Sequence, residues 1–109
     1  MTDEQIALGR RVVACKGFRW MGGMKVVDGF RVVESVVPMM FPVDTPDLTD
    51  PATLGCLLAL VREAWGPDHI LETRQFRTFG EVEVYVDEGR CFVHPTLAEA
   101  LVAALEAAP

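Results

Sequence analysis

Lys16, Arg19, Trp20, Gly22, Gly23 and Lys25 fall in one ten-residue stretch. Together they carry what a small anionic ligand needs: cations to neutralise a phosphate, an aromatic face for a base, and glycines that let backbone N–H groups come close. The glycine pair stands outside any Walker or Rossmann pattern, so the chemistry implied is stacking with charge neutralisation, not nucleotide hydrolysis. A second reading uses the same residues differently. Trp20 and Met21 plug the core between a first helix and a following hairpin, and the basic residues merely flank them.

Other chemistries find less support. Nucleophilic catalysis needs a thiol or hydroxyl with a base in reach. Cys91 and His94 are three apart on one expected strand, which points them to opposite faces. Cys15, Cys56 and Cys91 form neither a CxxC pair nor a disulfide framework, and read as buried, reduced thiols. Two carboxylate groupings could meet a metal: Asp68, His69 and Glu72, or Asp44, Asp47 and Asp50. Neither follows zinc or EF-hand spacing. Asp50 is read as a helix cap and Asp47 as a solvated loop residue. No catalytic residue, metal or cofactor is therefore expected.

The elements that position these residues are legible from pattern. Thr2 to Gln5 has the form of a capping box, with apolar residues recurring at helical spacing behind it, which predicts a helix over 3–15. Gly9 lies inside that helix. Lys25–Val27 and Phe30–Val37 flank Asp28-Gly29, the strongest hairpin signal in the chain, and Pro38 and Pro42 end its register. Asp50 and Pro51 open a central helix as N-cap and N1, with Leu54, Leu57, Leu58, Val61 and Trp65 on its main face. Cys56, Leu60 and Ala64 widen that face, and Gly66-Pro67 ends it. A strand is read over Ile70–Phe79. Glu81–Val86 alternates strictly, and the turn Asp87-Glu88-Gly89 leads into Arg90–His94. Thr96 to Glu99 repeats the capping-box pattern ahead of a last helix burying Leu97, Leu101, Ala104, Leu105 and Ala108. The expected fold is α+β: one domain over 1–109, an antiparallel sheet of about 4–5 strands with helices packed on it, in the order α-β-β-α-β-β-β-α.

Charge narrows the function classes. The chain has 109 residues and a net charge of −6, half of its residues being apolar. Residues 1–40 hold six basic against four acidic side chains, whereas 41–109 hold four against twelve. An acidic domain releases few counterions from a phosphate backbone, so duplex nucleic acid is not an expected partner. No apolar run approaches the ~18 residues of a membrane span, and no signal peptide opens the chain, so a cytoplasmic protein without a membrane partner is expected. The acidic half is suited to a basic protein partner, or simply to staying in solution. A central helix apolar on most sides must be covered by the first helix or by a second copy. In the latter case Leu54, Leu60 and the last helix would form a homodimer interface.

Three blocks carry a resemblance: LGRRVVACKGFRWMGGM (Leu8–Met24), PDLTDPATLGCLLALVREAWG (Pro46–Gly66) and TLAEALVAALEAAP (Thr96–Pro109). They resemble an uncharacterised family of small phage- and prophage-encoded proteins, over roughly half of the chain. The resemblance implies a phage context in a bacterial host cytoplasm and transfers no catalytic residue. With the charge pattern it sets the leading expectation: a non-enzymatic accessory protein that acts by binding. It would counter a host defence system by occluding a host protein, or sequester a small nucleotide-like ligand through the Lys16–Lys25 segment. A structural or assembly role in the virion is the alternative.

Overall fold

In the computed structural model, which describes residues 2–41, 43–66, 72–75, 80–87 and 90–109, three α-helices pack with a small antiparallel sheet. Helix α1 runs Asp3–Val13, α2 Pro51–Trp65 and α3 Leu97–Glu106; strands β1, β2 and β3 run Glu72–Gln75, Val82–Asp87 and Arg90–His94. Glu34–Met39 forms a short 3-10 helix. The helix starts follow local chemistry. At α1, Thr2 Oγ1 accepts from the Gln5 N–H and Gln5 Oε1 accepts from the Thr2 N–H, completing the expected capping box. At α2, the Asp50 carboxylate accepts from the Thr53 N–H with Pro51 in the first turn. At α3, Thr96 accepts from the Glu99 N–H, while the Glu99 carboxylate lies 4.0 Å from His94 Nδ1.

The sheet departs from expectation. Among the described residues it has three strands in the order β1-β2-β3, both pairs antiparallel, not four to five. The α+β class stands; the α-β-β-α-β-β-β-α order does not, because the two strands expected between α1 and α2 are absent among the described residues. There the chain does reverse at Asp28-Gly29, with Asp28 at φ 53°, and Met24 and Phe30 accept from the Val32 and Val26 N–H groups at 2.7 and 3.0 Å. Pairing nevertheless stops at isolated bridges, Lys25 with Arg31 and Val26 with Pro46. Beyond Val33 the β-branched run winds into the 3-10 helix containing Pro38, and Val33 itself is left exposed. Of the strand expected over 70–79, Glu72–Gln75 forms; residues 70, 71 and 76–79 lie outside the described residues, as do Glu88 and Gly89 of the last turn.

Two hydrophobic cores form around α2. The larger gathers Leu8 and Val12 of α1, Leu57, Val61 and Trp65 of α2, Val84 and Val86 of β2, and Leu101, Val102 and Leu105 of α3. The small residues Ala98, Ala100 and Ala104 of α3 are also buried. Trp65 Nε1 donates to the Ala104 carbonyl at 2.9 Å, one of the last-turn carbonyls that lack a helical partner. The smaller core packs Leu60 against Met24, Val26 and Val32, with Phe18, Trp20, Met21 and Cys56 at its edge. The width of the apolar face of α2 therefore has an intramolecular explanation. Leu60 is fully buried within one chain, where the 18–32 segment covers it, so it does not stand on an open face as the second-copy alternative would require. Leu54 packs against the larger core.

Gly9 is a close-approach glycine. A Cβ there would sit 2.6 Å from Thr45 Cγ2 and 2.9 Å from the Pro46 carbonyl oxygen, so α1 can lie against this segment only without a side chain. Gly9→Ala adds about 1 kcal/mol of helix propensity yet lowers stability by about 1–3 kcal/mol through overpacking against backbone. Thermal denaturation decides it, and a raised Tm would contradict the contact.

Candidate functional site

Most of the residues singled out as a small-ligand site are engaged inside the molecule. Arg19 donates to the Glu63 carboxylate at 2.7 Å, both side chains remaining more than half exposed. Lys25 Nζ lies 3.5 Å from the buried Asp47 carboxylate. Trp20 packs on the smaller core and meets Phe18 edge-to-face at 5.6 Å, the plug role that its position also allowed. Gly23 adopts φ +102°; its N–H donates to the Val32 carbonyl and its own carbonyl accepts from Arg31, so its backbone freedom serves the chain reversal. At Gly22 a Cβ would lie 2.9 Å from a Glu34 carboxylate oxygen, a charge that opposes an anion at that loop. Lys16 is exposed and lines a separate hollow of about 240 Å³ with Cys15, Ala64, Leu105 and Glu106.

The carboxylates considered for a metal have other partners. Asp44 accepts from the Phe41 N–H at 2.7 Å. Asp47 is buried, contrary to its expected solvation, and accepts from the Thr49 N–H and hydroxyl besides pairing with Lys25. Asp50 accepts from both Arg31 nitrogens at 2.8 and 2.9 Å and from the Thr53 N–H and hydroxyl. Asp68 and His69 lie outside the described residues, among which there is no cluster of three metal-ligating side chains.

These bonds form a clamp that ties the 23–32 reversal to the start of α2. Thr53 Oγ1 accepts from the Lys25 N–H while donating to Asp50, and Arg31 bridges Asp50 and the Gly23 carbonyl. The guanidinium holds the Asp50 carboxyl well below the usual carboxylate range, helped by the Thr53 bonds, and the carboxylate in turn raises Arg31. The clamp is a structural device: every acceptor in it faces a donor of the same chain.

What the clamp presents is a turn. Just beyond the 3-10 helix, the Asp44 N–H donates to the Phe41 carbonyl at 3.0 Å while Asp44 accepts from the Phe41 N–H, closing a compact reversal. At its outside stand Met39, Phe41 and Val43, 68%, 67% and 85% exposed. Phe30 and Val33, also exposed, lie earlier in the same segment. Sequence reasoning read Met39–Thr49 as a loop and missed this display. The available signal was the sequence Phe-Pro-Val-Asp, whose residue types favour a turn, beside the large apolar Met39 and Met40.

A groove of about 720 Å³ lies between the N-terminal halves of α1 and α3, lined by Gln5, Leu8, Arg11, Leu48, His94 and Glu99 among others. Arg11 is held by Glu106 at 2.5 Å and His94 Nδ1 lies 4.0 Å from the Glu99 carboxylate, while Glu4 also lines the groove. The thiols also sort by position. Cys15 and Cys56 are part-buried, and burial raises both. Cys91 is exposed, because the outer face of β3 lies away from α3, and this corrects the expectation of three buried thiols. Iodoacetamide near neutral pH should modify Cys91 at least tenfold faster than Cys56 by peptide mapping; equal rates would mean that the smaller core opens readily.

No protein-family model, curated protein or solved structure matches the chain. Among the described residues, no helix is long and apolar enough to cross a membrane.

Proposed function

We propose that this chain is a non-enzymatic binding protein that works by engaging a protein partner. Its setting is the cytoplasm of a bacterial host, where a phage or prophage product of this kind would occlude a host protein such as a component of a defence system. The observation that carries the reading is the exposed apolar turn at Met39, Phe41 and Val43. A few large apolar anchors held in a preformed backbone suit a protein contact, since such anchors dominate binding energy and a closed turn has little ordering entropy left to lose. The phage setting rests on the sequence resemblance alone.

Sequestration of a nucleotide-like ligand by the Lys16–Lys25 segment has weaker support. Arg19 and Lys25 already face Glu63 and Asp47, and Glu34 stands beside Gly22. Native mass spectrometry and affinity capture from host lysate separate the two forms. The expected result is a stoichiometric protein partner, retained by the double variant Arg19→Ala/Trp20→Ala. A co-purifying small molecule that the same variant loses would transfer the function to the basic segment. If neither a protein nor a small molecule is retained, the binding reading fails.

A further inference from the structure

We infer that the Met39–Val43 turn is a docking element for a protein surface whose apolar pockets are ringed by lysine and arginine, an inference that rests on the protein-binding reading above. Its first support is the contrast between exposure and rigidity. Large apolar side chains are usually exposed singly, yet here three project within five residues, Met39 from the end of the 3-10 helix and Phe41 and Val43 from a turn closed by two hydrogen bonds. Behind the turn the chain is anchored on its C-terminal side. Thr45, Pro46 and Asp47 are buried, the Thr45 carbonyl accepts from the Val27 N–H, and the Asp47 N–H donates to the Lys25 carbonyl, both at 2.8 Å.

The second support is charge. The cations of this segment are engaged: Lys25 by Asp47 and Arg31 by Asp50. Asp28 and Glu34 are exposed and carry no ion pair among the described residues. The Asp44 carboxylate closes the turn by accepting from the Phe41 N–H. Glu34 opens the 3-10 helix that ends at Met39, which places it roughly 10 Å from the turn at ~2 Å rise per residue. One cation faces this group from a neighbouring element: Arg10 of α1 shares a hollow of about 210 Å³ with Val13, Val43, Asp44 and Thr45. Asp28, Glu34 and Asp44 against Arg10 leave the surround of the turn acidic, in keeping with the net charge of −6.

That polarity chooses among occupants. A second copy would bring acidic rim against acidic rim, and like-charge juxtaposition is strongly unfavourable at an interface. An anionic lipid surface and a nucleic acid backbone repel the same carboxylates. A basic protein surface is attracted, gains on-rate from steering, and receives the apolar anchors at its centre.

Two fluorescent amphipathic helical peptides test the chemistry directly, one leucine/lysine and one leucine/glutamate with the same leucine pattern. Anisotropy titrations use the full chain, Phe41→Ser/Val43→Ser, and Asp28→Asn/Glu34→Gln. Phe41 and Val43 are largely exposed, so the first variant leaves both cores intact, and an unchanged Tm verifies this. The leucine/lysine peptide should bind, at least tenfold more weakly to Phe41→Ser/Val43→Ser. Affinity should fall severalfold with Asp28→Asn/Glu34→Gln and again as salt rises from about 50 to 300 mM. Affinity unchanged by Phe41→Ser/Val43→Ser, equal binding of the two peptides, or binding of neither overturns the inference. So does self-association of the wild type by sedimentation, or its binding to phosphatidylglycerol vesicles, when Phe41→Ser/Val43→Ser abolishes it. These outcomes leave the broader reading standing wherever lysate capture yields a stoichiometric partner; absence of any captured partner is the separate result that removes the reading itself.

Discussion

Leu60→Ala should lower the stability of the chain by about 3 kcal/mol, within the 2–5 kcal/mol typical of such truncations in a closed core. Leu60 is fully buried and meets Met24, Val26 and Val32, which are likewise nearly inaccessible. The cover of this cavity is held by the clamp through Asp50 and Arg31 and by the Val27 and Asp47 backbone bonds, so the site cannot collapse freely. For a domain of this size the loss corresponds to a Tm decrease on the order of 15 °C. The decrease should be the same at all protein concentrations, because the cavity lies inside one chain. A Tm that rises with concentration in the wild type and not in Leu60→Ala would instead place Leu60 between subunits. Urea denaturation supplies the free energy, and a loss below about 1 kcal/mol would contradict the burial.

Asp50→Ala is expected to reduce stability by about 2 kcal/mol. Roughly 1 kcal/mol comes from the lost N-cap bond to the Thr53 N–H, and most of the rest from the charged bond to the Thr53 hydroxyl. The Arg31 side chain is half exposed, and water screens its pair with Asp50, so that contact adds less than its bidentate geometry suggests. The pH dependence has a definite sign. The carboxyl of folded Asp50 titrates far below that of an ordinary aspartate, so folding favours the ionised form. Its contribution is complete above about pH 5. It diminishes as the pH falls through the ordinary aspartate value near 3.9 toward the depressed folded value. Asp50→Asn, which keeps a side-chain acceptor for the cap, should flatten the acid limb of the Tm–pH profile between about pH 4.5 and 2. An unchanged acid limb would show that the Arg31–Asp50 pair does not persist in solution.

The elements whose signal is local were readable in advance. Capping at Thr2, Asp50 and Thr96, the positive-φ stop at Gly66 and the alternation of Glu81–Val86 each depend on a few neighbouring residues. All of them appear where backbone chemistry places them. The hairpin signal at Asp28-Gly29 was half correct for the same reason. The reversal is local and forms, whereas a ladder needs both arms to stay extended, and the second arm winds into the 3-10 helix after Val33. Val32 lies in the smaller core while Val33 is exposed. That alternation looks like a strand in sequence, but the chain then continues as a 3-10 helix.

The site residues show the same division. The sequence by itself determined residue types: cations, an indole and glycines near Lys16–Lys25, and an acidic excess after residue 40. It also determined the capped helices and the positions where the backbone must turn. Only the tertiary structure decided which charges would meet, placing Glu63 beside Arg19, Asp47 beside Lys25 and Asp50 beside Arg31 at separations of 19 to 44 residues along the chain. It also decided which apolar residues would be left outside. Leu60 and Phe41 are both large and apolar, yet Leu60 faces a segment that folds over α2 and Phe41 stands on a turn that faces water. Charge pairing and burial depend on distances between segments remote in sequence, and those distances exist only once the chain has packed.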